Sequence, residues 1–277
     1  MDLAIQALVM GLVQGLTEFL PVSSSGHLIL VPFLLGWNDP FITSLEFSVM
    51  LHLGTLAALL GYFRADWLRL VPAGLATIRD RSFRGDPDRR LAWLIAAATV
   101  PALVVGFLLN DLVETRFREV GLVALTLVIG GGILWLAERR GSRTRDIDRL
   151  GFARAFGIGV AQAAALVPGI SRSGISISAG LFAGLDRESA ARFSFLMATP
   201  VTAAAGLYEA TRLVRGESGV AVDLGPLLIG MAAALVAGVV AIAVLLRFLR
   251  THRTDVFVAY RILLALIVVV VWLGLER

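Results

Sequence analysis

Apolar and polar positions fall into long blocks along this chain, without the short alternation of a soluble helix or strand. Apolar runs at about residues 45 to 64, 91 to 110, 119 to 138, 189 to 211, 224 to 249 and 256 to 275 are each long enough to cross a ~30 Å hydrocarbon core. They predict six spanning helices. Two further apolar segments, about 3 to 36 and 153 to 185, are interrupted by Pro, Gly and Ser and do not read as plain spans. Composition agrees: 57% of the 277 residues are hydrophobic and 17% charged, and the mean hydropathy is +0.83. Lipid is therefore the solvent for most of this surface. The expected fold class is all-α, a polytopic membrane protein.

Charge sets the expected orientation. The net charge of +4 rests on arginine, since the sequence contains no lysine. Arg64, Arg69, Arg79, Arg81, Arg84, Arg89 and Arg90 lie in one connection, and Arg139, Arg140, Arg143, Arg145, Arg149 and Arg154 follow Ala137 in another. The positive-inside rule makes both cytoplasmic, together with the turn from Arg250 to Asp255. The less one-sided connections, Asp111 to Arg118 and Arg212 to Asp223, are expected at the outer face. A basic balance of this origin points to membrane orientation and not to nucleic acid. Cysteine is absent, which excludes disulfides, thiolate metal sites and a cysteine nucleophile. The N-terminal segment has no basic leader and carries Gln14 and Glu18, so it is expected to stay in the mature protein.

Threading the chain through these sides works only if each interrupted segment enters and leaves on the same side, the first from outside and the second from inside. Both are predicted to be re-entrant helical hairpins lining a site, where broken backbone is tolerated. They also match in sequence. Gln14 is followed nine residues later by Ser23, then Ser25 and Gly26; Gln162 is followed nine residues later by Ser171, then Ser173 and Gly174, an offset of 148. Phe47 and Ser48 are echoed by Phe193 and Ser194. Three spans separate the copies, so the second lies inverted. One transmembrane domain, residues 1–277, is expected to hold repeat 1 (1–138) and repeat 2 (153–277), with the site where the hairpins meet.

Gln14 and Glu18 lie four apart on one helical face, and Pro21 ends that helix. Ser23, Ser24 and Ser25 are good caps for the next helix, which opens with Gly26 and His27. A helix N-terminus with hydroxyls, an imidazole and a nearby carboxylate suits an anion. The second copy keeps Pro168, Gly169, Ser171, Ser173 and Gly174 but places Arg172 at the middle serine. A guanidinium inside an apolar segment is costly and can grip phosphate oxygens bidentately. The competing reading is structural: the serines only cap helices, and Glu18 and Arg172 form a buried ion pair that fixes packing. His52 and Glu46 lie near a span, outside both motifs, and are left out of the core site.

At these residues the chain closely resembles the undecaprenyl-pyrophosphate phosphatases, the bacterial membrane enzymes associated with bacitracin resistance. The resemblance covers nearly the whole length. It rests on Gln14, Glu18 and the run Pro21 to His27, and on Pro168 to Gly174. It implies a hydrolase that converts undecaprenyl pyrophosphate to the monophosphate carrier recycled in peptidoglycan synthesis, with roles in cell wall biogenesis, cell shape and antibiotic resistance. It implies a divalent cation, Mg²⁺ or Ca²⁺, with Glu18 and Gln14 as the expected metal ligands. The implied partners are the polyprenyl pyrophosphate substrate and membrane lipids; bacitracin competes by binding that substrate, and a homodimer is left open. The implied location is the bacterial cytoplasmic (inner) membrane, with the site facing the periplasmic side.

Carried over by motif position, Glu18, Ser24, His27 and Arg172 are the expected catalytic group. Gln14, Ser23, Ser25, Gly26, Gly169, Ser171, Ser173, Gly174 and Ser176 are the expected phosphate-binding residues. Gln14 stands where other members carry Glu, Ser176 where threonine is expected, and Ser48 in place of an acidic residue. The preferred chemistry is attack by Ser24, activated by His27, to give a phosphoserine; water activated by Glu18 or His27 is the alternative. A transporter or flippase for an anionic polyprenyl lipid is the rival function, since inverted repeats and broken helices also build transporters.

Overall fold

The computed structural model describes residues 2–82, 85–115, 119–215 and 222–275. Among the described residues the chain is helical, with a single isolated bridge between Arg145 and Leu185 and no strand. The helices are α1 (Leu3–Phe19), α2 (Ser24–Leu35), α3 (Leu45–Tyr62), α4 (Arg64–Asp80), α5 (Pro87–Thr115), α6 (Val120–Arg140), α7 (Phe152–Ala163), α8 (Arg172–Phe182), α9 (Arg187–Val214), α10 (Leu224–Leu249) and α11 (Asp255–Leu275). Five of them, α3, α5, α6, α10 and α11, are long and apolar enough to cross a membrane, so this is a multi-pass membrane protein. The run expected at 189 to 211 lies within α9, which is not among the five; it carries Arg187, Glu188, Arg192, Glu209 and Arg212 toward its ends. Of the two connections expected at the outer face, residues 116–118 and 216–221 lie outside the described residues, as does Arg84.

The arginine-rich connection after α3 is not a loop but helix α4. Its exposed Leu68, Val71, Leu75 and Ile78 recur at helical spacing and form one apolar stripe, while Leu70 on the opposite side is buried.

The interrupted segments fold as two pairs of short helices. Helices α1, α2, α7 and α8 have 17, 12, 12 and 11 residues, or about 26, 18, 18 and 17 Å of length, each short of a ~30 Å core. Proline sets both breaks. Leu20 before Pro21 and Val167 before Pro168 are extended (φ −65°, ψ 141° and φ −81°, ψ 114°), because the proline ring crowds a helical predecessor.

The pairs are held by equivalent contacts. Gly11 of α1 meets the Gly230 backbone of α10, and Gly159 of α7, its counterpart at the offset of 148, meets the Ala98 backbone of α5. A Cβ at either glycine would collide with the facing carbonyl. In lipid, helix association depends on such close backbone approach, because apolar side chains gain nothing by leaving lipid tails. Gly15 continues the α1 seam against Ala234 and Ala237.

Candidate active site

The two breaks abut one another in the interior. Ser23 caps α2 by accepting from the Gly26 amide at 3.3 Å, and Ser171 caps α8 by accepting from the Gly174 amide at 3.1 Å. Both caps have positive φ, 79° and 75°, a region that costs a non-glycine residue energy and persists only where its surroundings impose it. Here the imposing contacts run between the breaks. The Gly169 amide donates to Ser23 Oγ at 3.1 Å, and Ser173 Oγ donates to the Leu20 carbonyl at 2.9 Å. Gly169 itself has φ 95°, and a Cβ there would strike Thr126.

Behind the breaks lies Arg261 of α11, fully buried. Its guanidinium donates to the carbonyls of Gly169 (2.6 Å), Ile170 (3.0 Å) and Leu127 (3.0 Å), with Pro21 at 3.4 Å. Gly130 of α6 leaves the room, since a Cβ there would collide with the guanidinium. Arg261→Leu is expected to destabilise the fold by ~3 kcal/mol or more, at ~1–3 kcal/mol for each carbonyl stranded without a donor. Thermal unfolding in detergent measures this, and an unchanged midpoint would refute the staple role.

In front of the breaks Glu18 gathers the polar groups. It is 4% exposed. Its Oε1 accepts from Arg172 Nη2 at 2.6 Å; its Oε2 accepts from Ser24 Oγ and from Gln14 Nε2 at 3.0 Å, and lies 3.4 Å from His52 Nε2. Arg172 is fixed from its other side by Thr202 Oγ1 at 2.7 Å and the Ala198 carbonyl at 3.2 Å, both on α9. His52 Nδ1 donates to the Ser48 carbonyl at 2.7 Å, so both ring nitrogens face oxygens. These groups open on a cavity of about 190 Å³. Its lining includes the polar Glu18, Ser24, Ser25, His52, Gln162 and Arg172 and apolar residues such as Val49, Leu166 and Val201. A carboxylate accepting from a hydroxyl, beside a guanidinium, can take the proton of an attacking serine while positive charge meets a phosphate.

Residues 7–267 match the family described as bacitracin resistance protein BacA. The chain belongs to that family. Among similar BacA relatives, an undecaprenyl-diphosphatase of Gemmatimonas aurantiaca is 48% identical, over 95% of this chain and 96% of its own. Proteins with the same description from Desulforudis audaxviator and Thermomicrobium roseum are 44% and 45% identical, each over 96% of this chain and 97% of the relative.

Against the motif expectations for a BacA protein, the structure brings Gln14, Glu18, Ser24 and Arg172 together and places Ser25 on the cavity. It does not bring His27 to Ser24. His27 Nδ1 donates to the Ser23 carbonyl at 2.6 Å and Nε2 meets Tyr260 Oη at 2.7 Å, with the two rings stacked. Both nitrogens are thus engaged, and the ring holds the turn before Ser24. Of the expected phosphate ligands, Ser23, Ser171 and Ser173 are buried and occupied in caps and cross-contacts. Gly26 and Gly174 donate their amides to those caps, and Gly169 donates its amide to Ser23. Ser176 is fully buried against Ser194 and the Arg172 carbonyl. The breaks leave backbone amides buried away from water, and Ser23 and Ser171 satisfy them.

The motifs missed His52, Arg261, Tyr260 and Thr202. Two of these carried a usable signal: His52 and Arg261 are ionisable residues within predicted spans, the same ground on which Arg172 was chosen. Thr202 and Tyr260 had none, being ordinary residues of apolar helices.

Proposed function

We propose that this protein is an integral membrane hydrolase that removes the terminal phosphate of undecaprenyl diphosphate, leaving undecaprenyl phosphate as a lipid carrier for peptidoglycan synthesis. The observation that carries the reading is the Ser24 hydroxyl donating to Glu18 while Arg172 holds the second carboxylate oxygen, in a cavity lined by both polar and apolar residues. Family membership and relatives named for that activity support it. The apolar lining residues suit the first units of a polyprenyl tail.

In the proposed reaction Glu18 Oε2 takes the Ser24 proton as Ser24 Oγ attacks the terminal phosphorus. The bond from that phosphorus to the bridging oxygen breaks, and undecaprenyl phosphate departs with the electron pair. Water then attacks the phosphoserine; the bond from phosphorus to Ser24 Oγ breaks, Glu18 returns its proton to Ser24 Oγ, and inorganic phosphate leaves as H2PO4⁻ bearing both protons of the water. Arg172 meets charge on the phosphate oxygens, with Thr202 and Ala198 fixing its fork. His52 steadies the carboxylate oxygen that accepts the proton.

The donor set fits a divalent cation such as Mg²⁺ or Ca²⁺. Glu18 offers a carboxylate, and Gln14 Oε1 is buried with no hydrogen-bond partner. Among the described residues no group of three or more acidic, His or Cys side chains could hold a metal by itself. Substrate phosphates and water would complete the shell, the usual habit of Mg²⁺. Bound there, the cation supplies further neutralisation of phosphate charge.

We further read the fold as six crossings, with α9 the sixth, plus re-entrant pairs α1–α2 and α7–α8 in an inverted repeat of 1–138 and 153–277. The short helix lengths, proline breaks and matching glycine contacts support this. The arginine-rich connections then lie in the cytoplasm, and the site serves lipid from the outer side of the bacterial inner membrane. Bacitracin would compete for the same substrate there. Detergent-solubilised protein is expected to release phosphate from undecaprenyl diphosphate, to lose that activity with a chelator, and to regain it with Mg²⁺ or Ca²⁺. No release under any metal condition would return the protein to the transporter reading.

A further inference from the structure

Gln162 occupies the cavity wall in a state that the folded protein does not explain. It is 2% exposed, it lines the cavity beside Ser24 and Arg172, and neither its Oε1 nor its Nε2 has a hydrogen-bond partner. A buried amide with both ends unsatisfied is costly, and such a group lining a cavity is placed to bond what enters it. The repeat gives the origin of the vacancy. The counterpart Gln14 donates from Nε2 to Glu18 four residues on, but at the offset of 148 the position of Glu18 is taken by Leu166. The second copy has lost the carboxylate and kept the amide, facing the same cavity from α7.

We propose that Gln162 is a substrate-binding residue whose amide nitrogen donates to the inner, non-attacked phosphate of the diphosphate, making it a determinant of diphosphate over monophosphate. This rests on the diphosphatase reading. The terminal phosphate is addressed by Ser24, Glu18 and Arg172. The inner phosphate leaves with the lipid, and a neutral donor orients it without the ion-pair strength that would retain the product. Leu166 and Ala165, on the same turn, line the cavity beside Gln162 and provide apolar surface where the lipid begins.

The test is steady-state hydrolysis of undecaprenyl diphosphate by wild-type protein and Gln162→Leu, with inhibition by inorganic pyrophosphate and by inorganic phosphate measured in parallel. The variant is expected to lose about tenfold to a hundredfold in kcat/KM, mostly through KM, as for a lost hydrogen bond to a charged group. Pyrophosphate inhibition should weaken in step while phosphate inhibition holds, and thermal stability should stay level or rise because two unsatisfied groups are gone. Should Gln162→Leu not fold, Gln162→Glu keeps the shape and sets a carboxylate against the phosphate, so KM must rise there too. A KM and pyrophosphate inhibition within about twofold of wild type in a folded variant would overturn this role alone. Absence of turnover by the wild type would overturn the diphosphatase reading, and this inference with it.

Discussion

Ser24→Ala is expected to lower kcat by at least about a thousandfold with little change in folding, because the substitution removes the attacking oxygen and leaves the rest of the cavity standing. Ser24 is the one motif serine whose hydroxyl donates to Glu18. Ser25 lines the same cavity, but its hydroxyl reaches only Ser23 Oγ, at 3.4 Å, so Ser25→Ala serves as the matched control with a far smaller loss. Thermal unfolding of Ser24→Ala should remain near that of wild type, since the side chain is partly exposed and small. An acid quench of the wild type during turnover should trap phosphate on Ser24. More than about a tenth of wild-type turnover in Ser24→Ala would end the phosphoserine route and transfer attack to water activated by Glu18.

Arg172→Lys should cost about a hundredfold in kcat/KM despite keeping the charge. The guanidinium makes three contacts, from Nη2 to Glu18 and from Nη1 to Thr202 and the Ala198 carbonyl. An ammonium cannot span α1 and α9 and still present a fork to phosphate oxygens. If the Glu18 and Arg172 pair served packing alone, the loss would appear as a lowered unfolding midpoint with kcat/KM preserved in the protein that folds. Measuring both quantities on one preparation separates these outcomes.

The spacing from Gln14 to Gly26 and from Gln162 to Gly174 was enough to locate both breaks, because proline and helix-capping serines act locally and are legible one residue at a time. The meeting of the breaks was also legible, through an arginine and a glutamate that lipid would not tolerate alone. Five expected spans are helices of membrane-crossing length and hydropathy. The run in α9 is not among them, because charged residues near its ends dilute the apolar pattern.

The partners within the site were not legible. His27 stands three residues from Ser24 in the motif, yet its ring turns to the Ser23 carbonyl and to Tyr260 of α11. His52, in no motif, comes against Glu18 because α3 packs beside α1. The capping reading, set beside phosphate binding in the sequence, is met at Ser23 and Ser171, which accept from the Gly26 and Gly174 amides, while Ser173 donates to the Leu20 carbonyl.

By itself the sequence determined that this is a membrane protein with two matching polar interruptions, one carrying Glu18 and Ser24 and the other Arg172. Apolar run length, proline and arginine placement are properties of the chain in its solvent and need no neighbour. Only the tertiary structure decided which imidazole meets the carboxylate, that Arg261 staples both breaks from behind, and that Gln162 is left with nothing to bond. Those outcomes depend on which helices lie side by side, a long-range packing result that glycine seams such as Gly11 against Gly230 set at backbone distance.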